Sequence, residues 1–147
     1  MKLIIQRVTS GSVSIQGKEK SSIQKGYVIL TAIKRGDTEE LVKRVANKVL
    51  NLRIMADDDM KMNKSILDVK GEILAISQFT LYADTKGRRP GFAESEEPER
   101  ALELFNLFVD ELKVSGLKVE TGEFGGYMDV SIQNDGPTTI ILEENSS

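Results

Sequence analysis

Ser77-Gln78-Phe79-Thr80-Leu81 puts polar side chains at the far end of an apolar run, and two kinds of chemistry suit that placement. A buried polar group left unpaired costs about 1–3 kcal/mol. The segment therefore either completes a hydrogen-bond network at a sheet end or turns backbone N–H groups outward to hold an oxyanion. The chain contains no His and no Cys. Their absence removes disulfides, thiolate nucleophiles, the usual zinc ligand sets and any imidazole general base. Without a base to activate it, the Thr80 hydroxyl is a weak nucleophile, so covalent catalysis is a poor reading. Enzyme chemistry in this chain must use carboxylates, water, backbone or the substrate itself.

Four other segments have two readings each. Asn134-Asp135-Gly136-Pro137-Thr138-Thr139 has the composition of a hairpin turn, and it equally suits a rigid backbone presented to a ligand. Lys86-Gly87-Arg88-Arg89-Pro90-Gly91-Phe92 is a solvated connector or a phosphate contact, helped in the second case by Lys61 and Lys64. Asp57-Asp58-Asp59 imitates the start of a calcium loop. Lys61 and Met62 stand where an oxygen ligand and a glycine belong, so a solvated acidic turn is the better reading. Gly122, Phe124, Gly125, Gly126, Tyr127 and Met128 form a loop with core anchors or a platform for a nucleobase.

The elements that must position these residues are mostly strands. Residues 2–8 and 12–16 read as two strands with Gly11 near the turn between them, and 26–33 as a buried central strand. A further strand is expected over 71–82, and two short ones over 128–133 and 138–142 flank the Gly136-Pro137 segment. A helix starts at Asp37 or Thr38, where Asp37 and Glu40 imitate a capping box, and Leu41, Val42, Val45, Ala46, Val49 and Leu50 form its stripe. A second helix starts near Ser95 with Pro98 in its first turn. Ala101, Leu102, Phe105, Phe108, Val109 and Leu112 make its apolar face, and Gly116 stops it. The expected class is α/β: strand-rich mixed sheets with two amphipathic helices packed on one face.

At 147 residues, with 39% hydrophobic and 29% charged residues, the chain fits one domain, 1–147, with a self-supporting core. The opening apolar run is too short for a signal peptide and no stretch suits a membrane span, so a cytoplasmic location is expected. A net charge of −3 does not by itself advertise nucleic acid, although a local basic patch can still bind it.

Taken in order, Gln6-Arg7-Val8, Lys61-Met62-Asn63, Ser77-Gln78-Phe79-Thr80-Leu81, Arg89-Pro90, Thr121-Gly122 and Asn134-Asp135-Gly136-Pro137 resemble the D-aminoacyl-tRNA deacylase family over essentially the whole chain. The pentapeptide from Ser77 and the Gly136-Pro137 pair are that family's two signatures. One position departs: Thr138 stands where the family usually has Val, with the expected Thr following as Thr139. The two side chains are nearly isosteric, so shape survives while local polarity changes.

The resemblance implies hydrolysis of the ester of D-aminoacyl-tRNA, and of tRNA mischarged with glycine, without metal or cofactor. It implies a homodimer with active sites at the subunit interface, where a cis Gly136-Pro137 peptide enters the partner's pocket. There its carbonyls bind the D-amino group and collide with an L side chain. Ser77, Gln78, Phe79 and Thr80 are the implied catalytic set, with the backbone of Gln78 and Phe79 holding the oxyanion and Thr80 beside the ester. Gly136, Pro137, Thr139, Phe124 and Met128 are the implied substrate-binding set. The terminal adenosine lies near Phe124 and Met128, and its 2′-hydroxyl helps activate water. Lys86, Arg88 and Arg89 are the expected tRNA phosphate contacts. Two rivals remain, a non-catalytic tRNA- or RNA-binding module and a metal nuclease using Asp57–Asp59.

Overall fold

The computed structural model describes residues 1–146. Its elements are β1 (Lys2–Ile15), β2 (Lys18–Ile23), β3 (Gly26–Ala32), α1 (Glu39–Asn51), β4 (Met55–Ala56) and β5 (Met62–Lys64). There follow β6 (Glu72–Ser77), a 3-10 turn (Phe79–Tyr82), α2 (Pro98–Lys113), β7 (Val119–Thr121) and β8 (Asp129–Glu143). The main sheet runs β2-β1-β3-β6-β7, with β8 added along β1, and β4 and β5 make a separate two-stranded hairpin. β1 is antiparallel to β2, β3 and β8, whereas β3, β6 and β7 run parallel. The expected mixed α/β class is thus observed.

Burial on both faces explains the long apolar run of β3. Tyr27 and Ile29 point into a cluster with Leu3, Ile5, Ile73 and the apolar stripes of both helices, among them Val42, Val45, Val49, Phe108 and Leu112. Val28 points the other way, into a smaller cluster with Val8, Val13, Ile23, Leu74 and Ile76. Each fully buried aliphatic side chain contributes about 1.5–3 kcal/mol, so these two layers supply the fold's driving force.

Several boundaries differ from expectation. β1 is one strand, not two: Gly11 pairs with Ile23 inside it, and an added Cβ there would lie 2.7 Å from Val28 Cγ2. The glycine serves close packing rather than a turn. β8 is likewise continuous, so 134–139 is not a hairpin between antiparallel arms; both arms run along β1 in one direction. β6 ends at Ser77, five residues earlier than expected, where the chain enters the 3-10 turn.

Thr38, not Asp37, caps α1, its hydroxyl accepting from Leu41 N–H at 3.2 Å. Asp37 instead accepts from Lys34 N–H at 2.8 Å and pairs with the Met1 ammonium at 2.7 Å. Pro98 opens α2 as expected. The buried stripe there includes Leu104, while Leu102 falls on the solvent side. Gly116 adopts φ +86°, the left-handed geometry that follows a helix end.

Candidate active site

The three parallel strands end side by side, the position at which open α/β sheets offer a crevice. Thr31 of β3 pairs with Ser77 of β6, and Ala75 of β6 with Thr121 of β7. The next rung is Gln78 N–H donating to Thr31 O at 2.8 Å. Beyond it the backbone coils, with Leu81 N–H donating to Gln78 O and Ala83 N–H to Thr80 O. Among the described residues no hydrogen bond claims the N–H of Phe79 or Thr80, the unsatisfied first donors of a helical turn. The sequence reading named the backbone of Gln78 and Phe79 as oxyanion donors. In the structure the Gln78 N–H is spent on the sheet, and the N–H groups of Phe79 and Thr80 are left without an acceptor among the described residues. Ser77 and Gln78 are half-buried, and Phe79 and Thr80 face solvent.

The second feature is an elbow in β8. Gln6 of β1 pairs with Thr139 and Val8 with Asn134, so residues 135–138 stand out opposite Arg7 alone. Within the elbow the Gly136-Pro137 peptide is cis. Gly136 has φ +122°, and an added Cβ would lie 2.4 Å from Thr138 Oγ1 and 2.7 Å from its nitrogen, so only glycine fits.

Side chains fasten both ends of this loop. Asn134 Nδ2 donates to Arg7 O (2.9 Å) and Thr138 O (3.1 Å), and Gln6 Nε2 donates to Asn134 Oδ1 and Thr139 Oγ1. The Thr139 hydroxyl donates to Pro137 O at 3.3 Å. Arg7, nearly buried, sets Nε 3.1 Å from Asp135 Oδ2 and donates through Nη1 to Ile54 O at 2.9 Å. Gly136 and Pro137 themselves are exposed.

The elbow and the 77–80 turn do not share a pocket of one chain. β1 and β3 separate β8 from β6, three strand spacings of ~4.8 Å, and the rows differ by four residues at ~3.3 Å each. Among the described residues no hydrogen bond or ion pair joins them.

The remaining expected site residues fall out as follows. The loop after β7 leaves the sheet beside Ser77. Phe124 there is half-buried against Phe105, ring centroids 6.3 Å apart, and Met128 Sδ accepts from Glu123 N–H at 3.2 Å while packing on the inner cluster. Both are anchored in the core more firmly than a free stacking platform would be, and the exposed aromatic of this loop is Tyr127. Lys86, Arg88 and Arg89 project from an exposed loop closed by reciprocal Asp84–Gly91 backbone bonds.

Lys61 and Lys64 belong to the β4–β5 hairpin, which is tied to Arg53 and Asp57 and not to that loop. Asp57 is a turn cap. Its carboxylate accepts from Asn63 Nδ2 and from the N–H groups of Asp59 and Lys61, and the Asn63 bond above all holds it below the usual carboxylate range. Among the described residues no three His, Cys, Asp or Glu side chains are grouped to hold a metal ion.

A family profile described as D-Tyr-tRNA(Tyr) deacylase matches residues 4–143, almost the full chain. The chain belongs to the D-Tyr-tRNA(Tyr) deacylase family. Family membership carries the enzyme class with it, a hydrolase acting on the ester of aminoacyl-tRNA. Similar curated proteins include D-aminoacyl-tRNA deacylases of Aquifex aeolicus, 54% identical with 97% of each chain covered, and of Clostridium botulinum, 52% identical with 100% of this chain and 99% of that one covered. Among solved structures, one described as a c-Myc DNA Unwinding Element Binding Protein is 40% identical with a TM-score of 0.93, covering 99% of this chain and all of the other. A probable eukaryotic D-amino acid tRNA deacylase shares the fold at a TM-score of 0.85, with 16% identity over 96% of this chain and 97% of that one.

In the deacylase fold the sequence reading missed the roles of Gln6, Arg7, Asn134 and Asp135. One signal was available. Arg7 shares the odd-numbered, core-facing side of β1 with Leu3 and Ile5, and a guanidinium on a buried face needs a partner. Asp135, in the deacylase Gly-Pro signature, is that partner.

Proposed function

We propose that this protein, with 1–147 acting as one domain, hydrolyses D-aminoacyl-tRNA to free D-amino acid and tRNA, accepts glycyl-tRNA, and spares L-aminoacyl-tRNA. The observation that carries the reading is the pair of unclaimed N–H groups at Phe79 and Thr80, set at the carboxyl ends of parallel strands in a chain without His or Cys. Such a site can stabilise a tetrahedral intermediate but cannot by itself supply a strong base. Preorganised donors of this kind are worth about 3–4 kcal/mol each in catalysis. Water's oxygen bonds to the ester carbonyl carbon while the developing oxyanion rests on those two donors, with Ser77, Gln78 and Thr80 lining the approach. The bond to the ribose 3′-oxygen then breaks, and that oxygen takes up the water's proton through the neighbouring 2′-hydroxyl. No metal or cofactor enters the scheme.

Handedness is measured by the elbow. Gly136 and Pro137 offer carbonyls to the substrate's amino group, with Thr139 steadying Pro137, and an L side chain would strike the same backbone. Because turn and elbow lie far apart in one chain, the elbow serves the pocket of a second copy in a cytoplasmic homodimer. The exposed elbow and a β8 without a single buried residue support that reading. The terminal adenosine lies near Phe124 and Met128, and the acceptor phosphates near Lys86, Arg88 and Arg89.

The deciding experiment is parallel hydrolysis of D-tyrosyl- and L-tyrosyl-tRNA with EDTA present. D-ester loss at a rate indifferent to chelator, with the L-ester spared, is expected. Equal hydrolysis of both hands would falsify the chirality claim. A second reading draws on the 40% identical protein whose name describes binding to a DNA element. As a non-catalytic nucleic-acid module the chain would bind tRNA salt-dependently and leave both esters intact.

A further inference from the structure

Two large apolar rings stand in solvent beside the 77–80 turn. Phe79 is 53% and Phe92 37% exposed, and their centroids lie 4.9 Å apart in an edge-to-face arrangement. Neither is left to wander. Buried Ser95 ties both backbones, its N–H donating to Phe92 O at 3.1 Å and its hydroxyl to Phe79 O at 3.2 Å. The loop joining the two rings closes on Asp84 and Gly91, and between 84 and 92 it carries three cations against the single carboxylate of Asp84. That carboxylate accepts from Lys86 N–H at 2.9 Å, and among the described residues no ion pair occupies Lys86, Arg88 or Arg89. A rigid aromatic pair flanked by free cations has the chemistry of a single-stranded nucleic-acid site, in which bases stack and phosphates meet positive charge.

We propose that the Phe79–Phe92 shelf stacks a base of the unpaired 3′ strand of tRNA, one nucleotide or more before the terminal adenosine, while Lys86, Arg88 and Arg89 hold that strand's phosphates. The proposal rests on the deacylase reading and specifies which further part of the substrate is gripped. Stacking is tolerant of base identity because every base has a π face, which suits an enzyme that meets many tRNAs. Phe79 links the two functions: its N–H faces the ester and its ring supports the strand leading to it.

The test compares a full and a minimal substrate, D-tyrosyl-tRNA and the D-tyrosyl ester of adenosine, in wild type, Phe92→Ala and Phe92→Tyr. For Phe92→Ala, kcat/KM on the tRNA should fall about tenfold further than on the adenosine ester, the loss of one stacked base, and Phe92→Tyr should restore it. Equal losses on both substrates overturn the shelf, as does a tRNA loss under about twofold or a variant that sediments as a smaller species. The last result would make the rings a subunit contact. Independently of hydrolysis, binding of uncharged tRNA is measured against salt for Arg88→Gln/Arg89→Gln. Removing two phosphate contacts on a single strand should reduce the slope of log K against log salt by about 1.4, and an unchanged slope overturns the cation role. Should wild type leave both esters intact, the deacylase reading fails, and the shelf is then judged by uncharged-tRNA binding of Phe92→Ala, where about tenfold weaker binding supports it and unchanged binding overturns it.

Discussion

In the proposed mechanism the chemistry turns on Thr80 and Gly136, and each fails in its own way. Thr80 contributes a backbone donor that mutation cannot remove and a hydroxyl that it can. Thr80→Ala should therefore lower kcat about 10–150-fold, the worth of one hydrogen bond to a developing charge, without abolishing turnover. A dead variant, together with an aminoacyl group trapped on the wild-type hydroxyl, would show that the mechanism is covalent. Gly136→Ala meets Thr138 at under 3 Å in a left-handed conformation, so it must reshape the elbow. Activity should drop at least 100-fold while Tm falls by only a few degrees, because the elbow is exposed. Circular dichroism beside the deacylation assay separates the two effects. Thr138, where the family usually has Val, presents a hydroxyl for which no hydrogen bond is formed among the described residues. Thr138→Val is accordingly expected to change D-ester hydrolysis by less than about twofold. The polar types at 77–80 marked a candidate site in the sequence. Which N–H groups are free was not, since that depends on Thr31 in another strand.

At the scale of elements, the elbow is held by a strand rather than by a turn. Composition around Gly136-Pro137 suggested a hairpin because such residues serve hairpins in general. What overrode it was a fifteen-residue β8 that pairs with the fourteen-residue β1 through 129–134 and again through 139–143, on both sides of the interruption. Arg7 is the fastening. Arg7→Met leaves the Ile54 carbonyl and the half-exposed Asp135 without their cation, and the expected cost is about 1–3 kcal/mol of stability. The loss in D-ester hydrolysis should be larger than that stability loss explains, and a thermal melt run beside the kinetics checks it. Should activity survive in proportion to the folded fraction, Arg7 is merely structural. The helices were read with fewer errors, since apolar residues at 3.6-residue spacing carry their own period. The exception, Leu104 for Leu102, is a phase error that only the packing partner could correct.

For the whole molecule, the proposed two-chain active site makes a prediction that no single-chain site shares. Mixed refolding of Thr80→Ala with Gly136→Ala should give heterodimers with one fully wild-type site each, recovering up to about a quarter of wild-type activity from two crippled parents. Simple averaging of the parents' activities would disprove the shared site. Stability should also fall in acid. Glu144 is held below the usual carboxylate range first by Lys48 and then by Arg44, as Asp57, Asp68 and Glu96 are by their own hydrogen bonds. A depressed carboxylate stabilises the folded state above its unfolded pKa of about 4 and loses that contribution as pH falls through the folded value. Tm should thus be flat from pH 6 to about 5 and decline below about 4, and an increase there would contradict the assignment. By itself the sequence determined the chemistry available, because residue types alone exclude thiol and imidazole routes and the usual zinc ligand sets, and it determined the elements whose periodicity is local. Only tertiary structure decided which backbone donors remain unspent, what Arg7 clasps, and how far the elbow stands from the turn. Those are facts of strand register, set by pairings between distant residues such as Lys2 with Glu143, and no local pattern encodes them.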